Sequence, residues 1–193
     1  MANTLNQLVD KTLQKQIKEA QKRAESVQKI YVWKLWDQAH VPEYGSDWAA
    51  CFDLKASLRD EDTVTVYGRT NEKVKRKIQN GSVELFADER MLVPTGLVFD
   101  LFEGTSLRIH PRSGLSLKNG IVVANCEGIV DADYVQQTYV MLRNMSDMPF
   151  TIKDGDRIAQ GEMAPVFRPE VLLSDSEPEE KTNRTGGFGS TGV

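Results

Sequence analysis

Cysteine and histidine are scarce in this chain of 193 residues, and that scarcity removes whole classes of chemistry. The two cysteines, Cys51 and Cys126, stand far apart in no metal-like spacing, so free thiols in a reducing compartment are the expected state. Only His40 and His110 are present, which nearly excludes a zinc site or a histidine-based catalytic triad. No run approaches the ~18 apolar residues of a membrane span, and the first residues lack the apolar core of a secretory signal. Strong charge of either sign is also missing. A net charge of -4 gives no electrostatic case for nucleic acid or an anionic membrane as the main partner, and no direct nucleic-acid binding is expected. What remains is an ordinary globular composition, 40% hydrophobic and 27% charged, in a chain long enough for one domain with a sizeable core. The expected location is the cytoplasm, or the host cytoplasm if the source is viral. Chemistry must then run on carboxylates, arginines and serines, with or without an added Mg²⁺.

Residues 1–30 lack glycine and proline altogether and are rich in Gln, Lys and Ala. Leu13, Ile17, Ala20, Ala24, Val27 and Tyr31 recur at alternating spacings of four and three, one stripe of an amphipathic helix. Such a helix either lies on its own subunit or packs against copies of itself, since a 3.5-residue period is also the coiled-coil seam. From residue 31 the pattern changes to short runs rich in β-branched and aromatic residues, bounded by Gly, Pro or Asp. These lie at 31–36, 48–56, 63–67, 83–87, 91–93, 97–101, 106–110, 121–124, 128–130, 137–142, 150–152 and 158–166. So many short strands with almost no helix between them predict an all-β jelly roll or antiparallel sandwich over residues 31–173. Residues 69–79 (RTNEKVKRKIQ) interrupt this pattern and read as a basic, helical or looped, solvated insertion at about 68–80. Residues 174–193 form an acidic linker, SDSEPEEKTN, and then a glycine-rich arm, RTGGFGSTGV. A single phenylalanine among such glycines suggests an arm that closes over a flat ligand.

One stretch, NCEGIVDADYVQQTY at 125–139, organises the functional reading. It places an apolar strand (Gly128, Ile129, Val130) before an acidic turn (Asp131, Ala132, Asp133), then Tyr134 and a returning strand. Asp-Ala-Asp is ordinary turn chemistry when taken alone. Two carboxylates and an aromatic at a hairpin tip also suit a pocket wall for a flat polar ligand and a water molecule. Four further stretches accompany it. ACFDLKA at 50–56 holds Asp53 beside an apolar strand. PRSGLSLKNG at 111–120 offers Arg112, the Ser113 hydroxyl and the Gly114 N–H in succession, a natural anion clasp. GDRIAQ at 155–160 carries Arg157 and Gln160, and the arm supplies Arg184, Ser190 and Thr191.

Together and in this order, the five stretches resemble the five motifs of the trimeric dUTPases, with MLVPTGL at 91–97 matching a further recurrent stretch. The resemblance spans residues 50–192. It implies a jelly-roll subunit (the β-clip of that family) and a homotrimer with active sites shared between subunits. The implied activity is hydrolysis of dUTP to dUMP and pyrophosphate with Mg²⁺, which limits uracil incorporation into DNA and supplies dUMP for dTTP synthesis. In such a trimer one chain gives the first, second and fourth motifs, a second gives the hairpin and a third gives the arm. Carried over by position, Asp131 resembles the carboxylate that orients and deprotonates the attacking water. Arg112, Ser113, Gly114 and Gln160 would hold phosphates, with Ser113 near the leaving bridging oxygen. Asp53 resembles a residue that holds Mg²⁺ through its water shell. Arg157 resembles an arginine that orients a carboxylate of the site, with Asp131 the candidate. Backbone groups from Gly128 to Asp131 and near Tyr139, with the Asn125 amide, would read the O4 acceptor and N3–H donor of uracil, a pattern that cytosine reverses. Tyr134 would lie flat against the deoxyribose and Phe188 would stack on the base. Arg184, Gly189, Ser190 and Thr191 would cover the phosphates.

The chain departs from the family pattern at several positions. Cys51 stands where glycine is common, and Val135 and Gln136 follow Tyr134 in place of a polar residue and glycine. The arm reads Arg-x-Gly-Gly-Phe, so either Arg184 or Asn183 fills the arginine position. Two rival readings are a dCTP deaminase, alone or bifunctional with dUTPase activity, and a nucleotide-gated regulatory protein using the N-terminal helix or the basic insertion. The deaminase needs a differently built second motif and a deaminating glutamate.

Overall fold

The computed structural model describes residues 29–183 and Gln14. The expected N-terminal stripe, apart from Tyr31, and the arm with Arg184, Phe188, Gly189, Ser190 and Thr191 lie outside the described residues. Among the described residues the chain forms β1 (Tyr31–Lys34), β2 (Glu43–Tyr44), β3 (Phe52–Lys55), β4 (Thr63–Tyr67), β5 (Lys73–Lys77), β6 (Ser82–Leu85) and β7 (Arg90–Pro94). Then follow β8 (Leu97–Asp100), β9 (Thr105–His110), one short helix α1 (Ser113–Asn119), β10 (Ile121–Val123), β11 (Gly128–Asp131), β12 (Tyr139–Asn144), β13 (Phe150–Lys153) and β14 (Arg157–Pro165).

Every strand pair is antiparallel. One five-stranded sheet has the order β10-β12-β7-β4-β5 and the other β11-β9-β14-β3-β2, with β1-β8 and β13-β6 as two-stranded flanks. This is the all-β jelly-roll arrangement that the run of short strands predicts. Alternation builds it. In β4 Val64 and Val66 are buried while their neighbours are not, and in β12 Val140, Leu142 and Asn144 are buried between exposed residues. The inward residues share one core, with Leu54, Leu107 and Ile158 from one sheet meeting Val66, Val93 and Leu142 from the other. Each such aliphatic side chain contributes about 1.5–3 kcal/mol on burial. Phe52 and Phe99 stack within it at 6.1 Å between ring centres.

Two elements differ from the sequence reading. The basic stretch is not a helix or loop: residues Lys73–Lys77 form β5, paired to β4 with Thr65 opposite Lys75. Charge on both faces hides its alternation, and packing comes through Arg76, which forks onto Glu89 at 2.6 and 2.8 Å and covers the Phe86 ring. Burial pushes the Glu89 carboxyl up, but the Arg76 bonds, the Phe86 N–H and the Arg76 charge together hold it below its ordinary value. Lysines along a free sheet edge also discourage further strand pairing. The second difference concerns the hairpin at 128–142. Its arms do not pair with each other: β11 pairs with β9 in one sheet, and β12 pairs with β7 and β10 in the other. The loop therefore bridges the two sheets and holds a gap open between them.

Candidate active site

Three neighbouring strands bring the first, second and fourth stretches together. In the register of the sheet, Gln160 on β14 stands between Asp53 on β3 and His110 at the end of β9. The Asp53 carboxylate forms an ion pair with Nε of Arg112 at 2.9 Å and accepts a hydrogen bond from Nη1 of Arg157 at 3.2 Å. Arg112 also donates through Nη1 to the Arg157 carbonyl at 3.1 Å, and Gln160 donates through Nε2 to the Pro111 carbonyl at 3.0 Å. Within a single chain, then, Arg157 meets Asp53, whereas the sequence suggested Asp131 as its partner. The close approach of these strands depends on Gly161, where a Cβ would fall 2.6 Å from the Phe52 ring and 2.9 Å from Leu107.

The stretch after Arg112 is helical, which the sequence reading missed. Helix α1 starts at Ser113 and makes its first backbone bond from the Ser116 N–H to the Arg112 carbonyl, so the N–H groups of Ser113, Gly114 and Leu115 have no acceptor within the helix. Ser113 and Gly114 are exposed, and Gly120 ends the helix in the left-handed conformation at φ 67°. Asp53 offers the clasp a carboxylate with capacity to spare. Oδ2 accepts one guanidinium N–H from Arg157, Oδ1 lies in an ion pair with Arg112, and lone pairs remain for water. Among the described residues no cluster of three or more His, Cys, Asp and Glu forms a cage for a metal. The Asp53 carboxylate, with lone pairs left for water, fits a hydrated Mg²⁺ that it would hold through water. Nearby Cys51 is a free thiol; burial, then the Glu162 charge, push it above its ordinary value and keep it protonated at neutral pH.

The gap between the arms of the third stretch is a cavity of about 300 Å³. Asn125, Gly128, Ile129, Val130, Asp131, Tyr134 and Tyr139 all line it, whereas Ala132 and Asp133 of the acidic turn do not. Tyr134 closes the turn: its N–H donates to the Asp131 carbonyl at 3.1 Å and its hydroxyl to the Gln137 carbonyl at 3.0 Å. Burial, and after it the neighbouring Tyr134, raise the Tyr139 phenol further, so it stays neutral. Ile109, Val123, Thr138 and Val140 complete the floor and were not anticipated. Alternation marks them as inward-facing, but only the divergence of the two sheets turns that inward face into a cavity. The Asp131 side chain is exposed at the rim and forms no ion pair among the described residues.

A dUTPase family model matches residues 78–192. The deoxyuridine 5'-triphosphate nucleotidohydrolase of Bartonella henselae is 38% identical over 158 residues, 79% of this chain and 76% of that one. That of Caulobacter vibrioides is 39% identical over 165 residues, covering 83% and 93%. The chain belongs to the dUTPase family. Solved dUTPases share the fold. The enzyme of Staphylococcus bacteriophage 80alpha with dUPNHPP superposes with a TM-score of 0.68 at 21% identity, over 86% of this chain and all of that one. The dUTPase of Streptococcus mutans gives 0.58 at 22% identity, over 75% of this chain and all of that one. The structure of a dUTPase variant from phage phi11 is described as revealing the coordination of a structural Mg(II) ion. In this dUTPase Asp131 sits apart from the clasp of its own chain. Asp131 pairs with Ser106, while the clasp begins beyond His110, four residues further along β9 or about 13 Å. Among the described residues no helix is long and apolar enough to cross a membrane.

Proposed function

We propose that this protein hydrolyses dUTP to dUMP and pyrophosphate by water attack on the α-phosphate, in a homotrimer whose active sites are shared between copies. The observation that carries the reading is the distance between Asp131 and the clasp. Arg112, Ser113, Gly114 and Gln160 suit a polyphosphate and the cavity suits a pyrimidine, yet one chain holds Asp131 opposite Ser106, at the end of β9 remote from the clasp. A second copy closes that distance by presenting its cavity to the first copy's clasp.

In this arrangement backbone groups at Gly128–Asp131 and near Tyr139, with the Asn125 amide, bond the uracil edge. A mismatched base leaves buried polar groups unpaired at about 1–3 kcal/mol each. Tyr134 flanks the deoxyribose and crowds a ribose 2′-hydroxyl. The Asp131 carboxylate, which forms no ion pair among the described residues of its own chain, orients the water and takes its proton as the oxygen attacks the α-phosphorus. Arg112, Gln160 and the N–H groups of Ser113 and Gly114 hold the phosphate oxygens, and Ser113 Oγ lies by the bridging oxygen that leaves with pyrophosphate. Asp53 orients Arg112 and Arg157 and holds Mg²⁺ through water; when bound, the ion neutralises charge on the phosphates. The arm of a third copy, with Arg184, Phe188, Gly189, Ser190 and Thr191, covers base and phosphates and excludes bulk water.

Pyrophosphate release from dUTP, dCTP, dTTP and UTP tests the reading, with dUTP alone turned over. Asp131→Asn is expected to lower turnover by at least ~10²-fold while dUTP still binds. A near-normal rate in that variant would remove Asp131 as the base. Light scattering tests the assembly, and an active single subunit would sink the shared site.

A further inference from the structure

The solvent face of the β10-β12-β7-β4-β5 sheet carries a basic and apolar surface that the proposed reaction does not use. Strand register sets it out in two rows. Lys73, Tyr67, Arg90 and Arg143 stand side by side across β5, β4, β7 and β12, and Lys75, Thr65, Leu92 and Met141 form the next row. Tyr67, Leu92 and Met141 line a groove of about 310 Å³ together with Arg90 and Asn71. Leu92 and Met141 also line the cavity at Asp131, so the groove adjoins that cavity. Arg143 pairs with Asp88 at 3.2 Å. Lys73, Lys75 and Arg90 meet no carboxylate among the described residues; Lys75 donates to Thr65 Oγ1 at 2.8 Å and Arg90 to Asn71 Oδ1 at 2.6 Å.

The chain also has a segment without a seat. Val171, Leu172 and Leu173 are 91%, 75% and 95% exposed, and residues 174–180 behind them are exposed throughout. Consecutive apolar side chains left in water mark an interaction site. Asp175, Glu177, Glu179 and Glu180 follow them directly. We propose that residues 171–180 of one copy dock on this face of another copy, with Val171, Leu172 and Leu173 over the groove and the four carboxylates against Lys73, Lys75 and Arg90. The two surfaces are complementary in charge, and each joins an apolar part to a charged part. High exposure shows that the segment has no such seat on its own chain. It leads into the glycine-rich arm, so a seat beside the cavity delivers the arm to that cavity. The inference rests on the shared-site reading and adds to it the surface that steers the arm.

Full-length copies made in light and heavy nitrogen are mixed through urea and refolded, and a carbodiimide then couples neighbouring amines and carboxylates. Mass spectrometry is expected to find Lys73 or Lys75 joined to carboxylates of 175–180 in peptide pairs of mixed isotope. Lys73→Glu with Lys75→Glu is expected to lower kcat/KM for dUTP about fivefold at low salt, and by less at high salt, because exposed charges are screened. Adding Glu177→Lys and Glu179→Lys to that chain is expected to bring the value back within about twofold of the unaltered protein. Links confined to single-isotope pairs would seat the segment on its own chain and overturn the inference. Absence of the link from an oligomer that turns over dUTP also overturns it, as does a charge-swapped chain no more active than the lysine variant. Light scattering keeps the larger reading separate. An active single subunit ends the shared site and the docking together, whereas an oligomer that forms the link but leaves dUTP intact ends the hydrolase reading alone.

Discussion

Replacing Asp53 with asparagine separates two roles that the structure assigns to one carboxylate. Its side chain is 15% exposed and joins Arg112, 25% exposed, to Arg157, 54% exposed. The amide has the same size but one acceptor oxygen, and its NH₂ faces a guanidinium that is itself a donor. With the oxygen turned to Arg112, the ion pair becomes a contact with a neutral acceptor, a loss of about 1 kcal/mol. The contact to Arg157 disappears, but water reaches that side chain, so its loss is held to about 1 kcal/mol or less. The sum is about 2 kcal/mol, or roughly thirtyfold in the folding equilibrium. Urea unfolding at fixed protein concentration measures it, because assembly couples stability to concentration. Affinity for phosphate is expected to move the other way. Two guanidinium groups lose their counter-charge, so dUDP binds at least as tightly, while kcat falls and the Mg²⁺ concentration for half-maximal rate rises. Unchanged stability together with an unchanged Mg²⁺ requirement would refute the argument. Weakened dUDP binding would also refute it, since Asp53 would then not be neutralising the clasp.

Gly161→Ala is expected to cost about 1–3 kcal/mol by overpacking against Phe52 and Leu107, and to lower activity by displacing the strand that carries Asp53; stability and rate equal to the unaltered protein would show that the strands have slack. Stability is expected to fall in acid partly through Glu89. Its folded value lies below the ordinary one, so its contribution is complete above the usual glutamate range and lost as pH falls through the folded value. Urea midpoints from neutral to acid pH check this: Glu89→Gln is expected to be less stable at neutral pH and to show a shallower acid limb, and parallel limbs would remove Glu89 as a contributor.

Much of the architecture is legible in the chain because antiparallel sheets with one solvated face write their period into the sequence. Val64 and Val66, or Val140 and Leu142, alternate with polar or exposed neighbours and mark strands directly. Residues 73–77 defeat that reading because lysine and arginine stand on both faces, and their strand exists through backbone pairing with β4 and the fork of Arg76 on Glu89. Helix α1 escaped notice for another reason. Seven residues are too few to show a helical period, and it has no buried residue to betray one. The lining residues of the third stretch were legible as a group, but Ile109, Val123 and Thr138 come from outside the residues the motif singled out and carry no local signal of a cavity.

By itself the sequence determined the chemistry on offer: carboxylates, arginines and small hydroxyl residues in five ordered stretches, in a chain too poor in histidine and cysteine for other solutions. Side-chain type and short-range spacing are local properties, and reading them needs no fold. Tertiary structure alone decided that the arms of 128–142 join different sheets, that Asp53 is the counter-charge of both Arg112 and Arg157, and that Asp131 of one chain lies apart from its clasp. Those outcomes depend on which distant strands exchange backbone hydrogen bonds and in what register. Backbone N–H and C=O groups are the same at nearly every residue, so the choice of partner is made by the packing of the whole core.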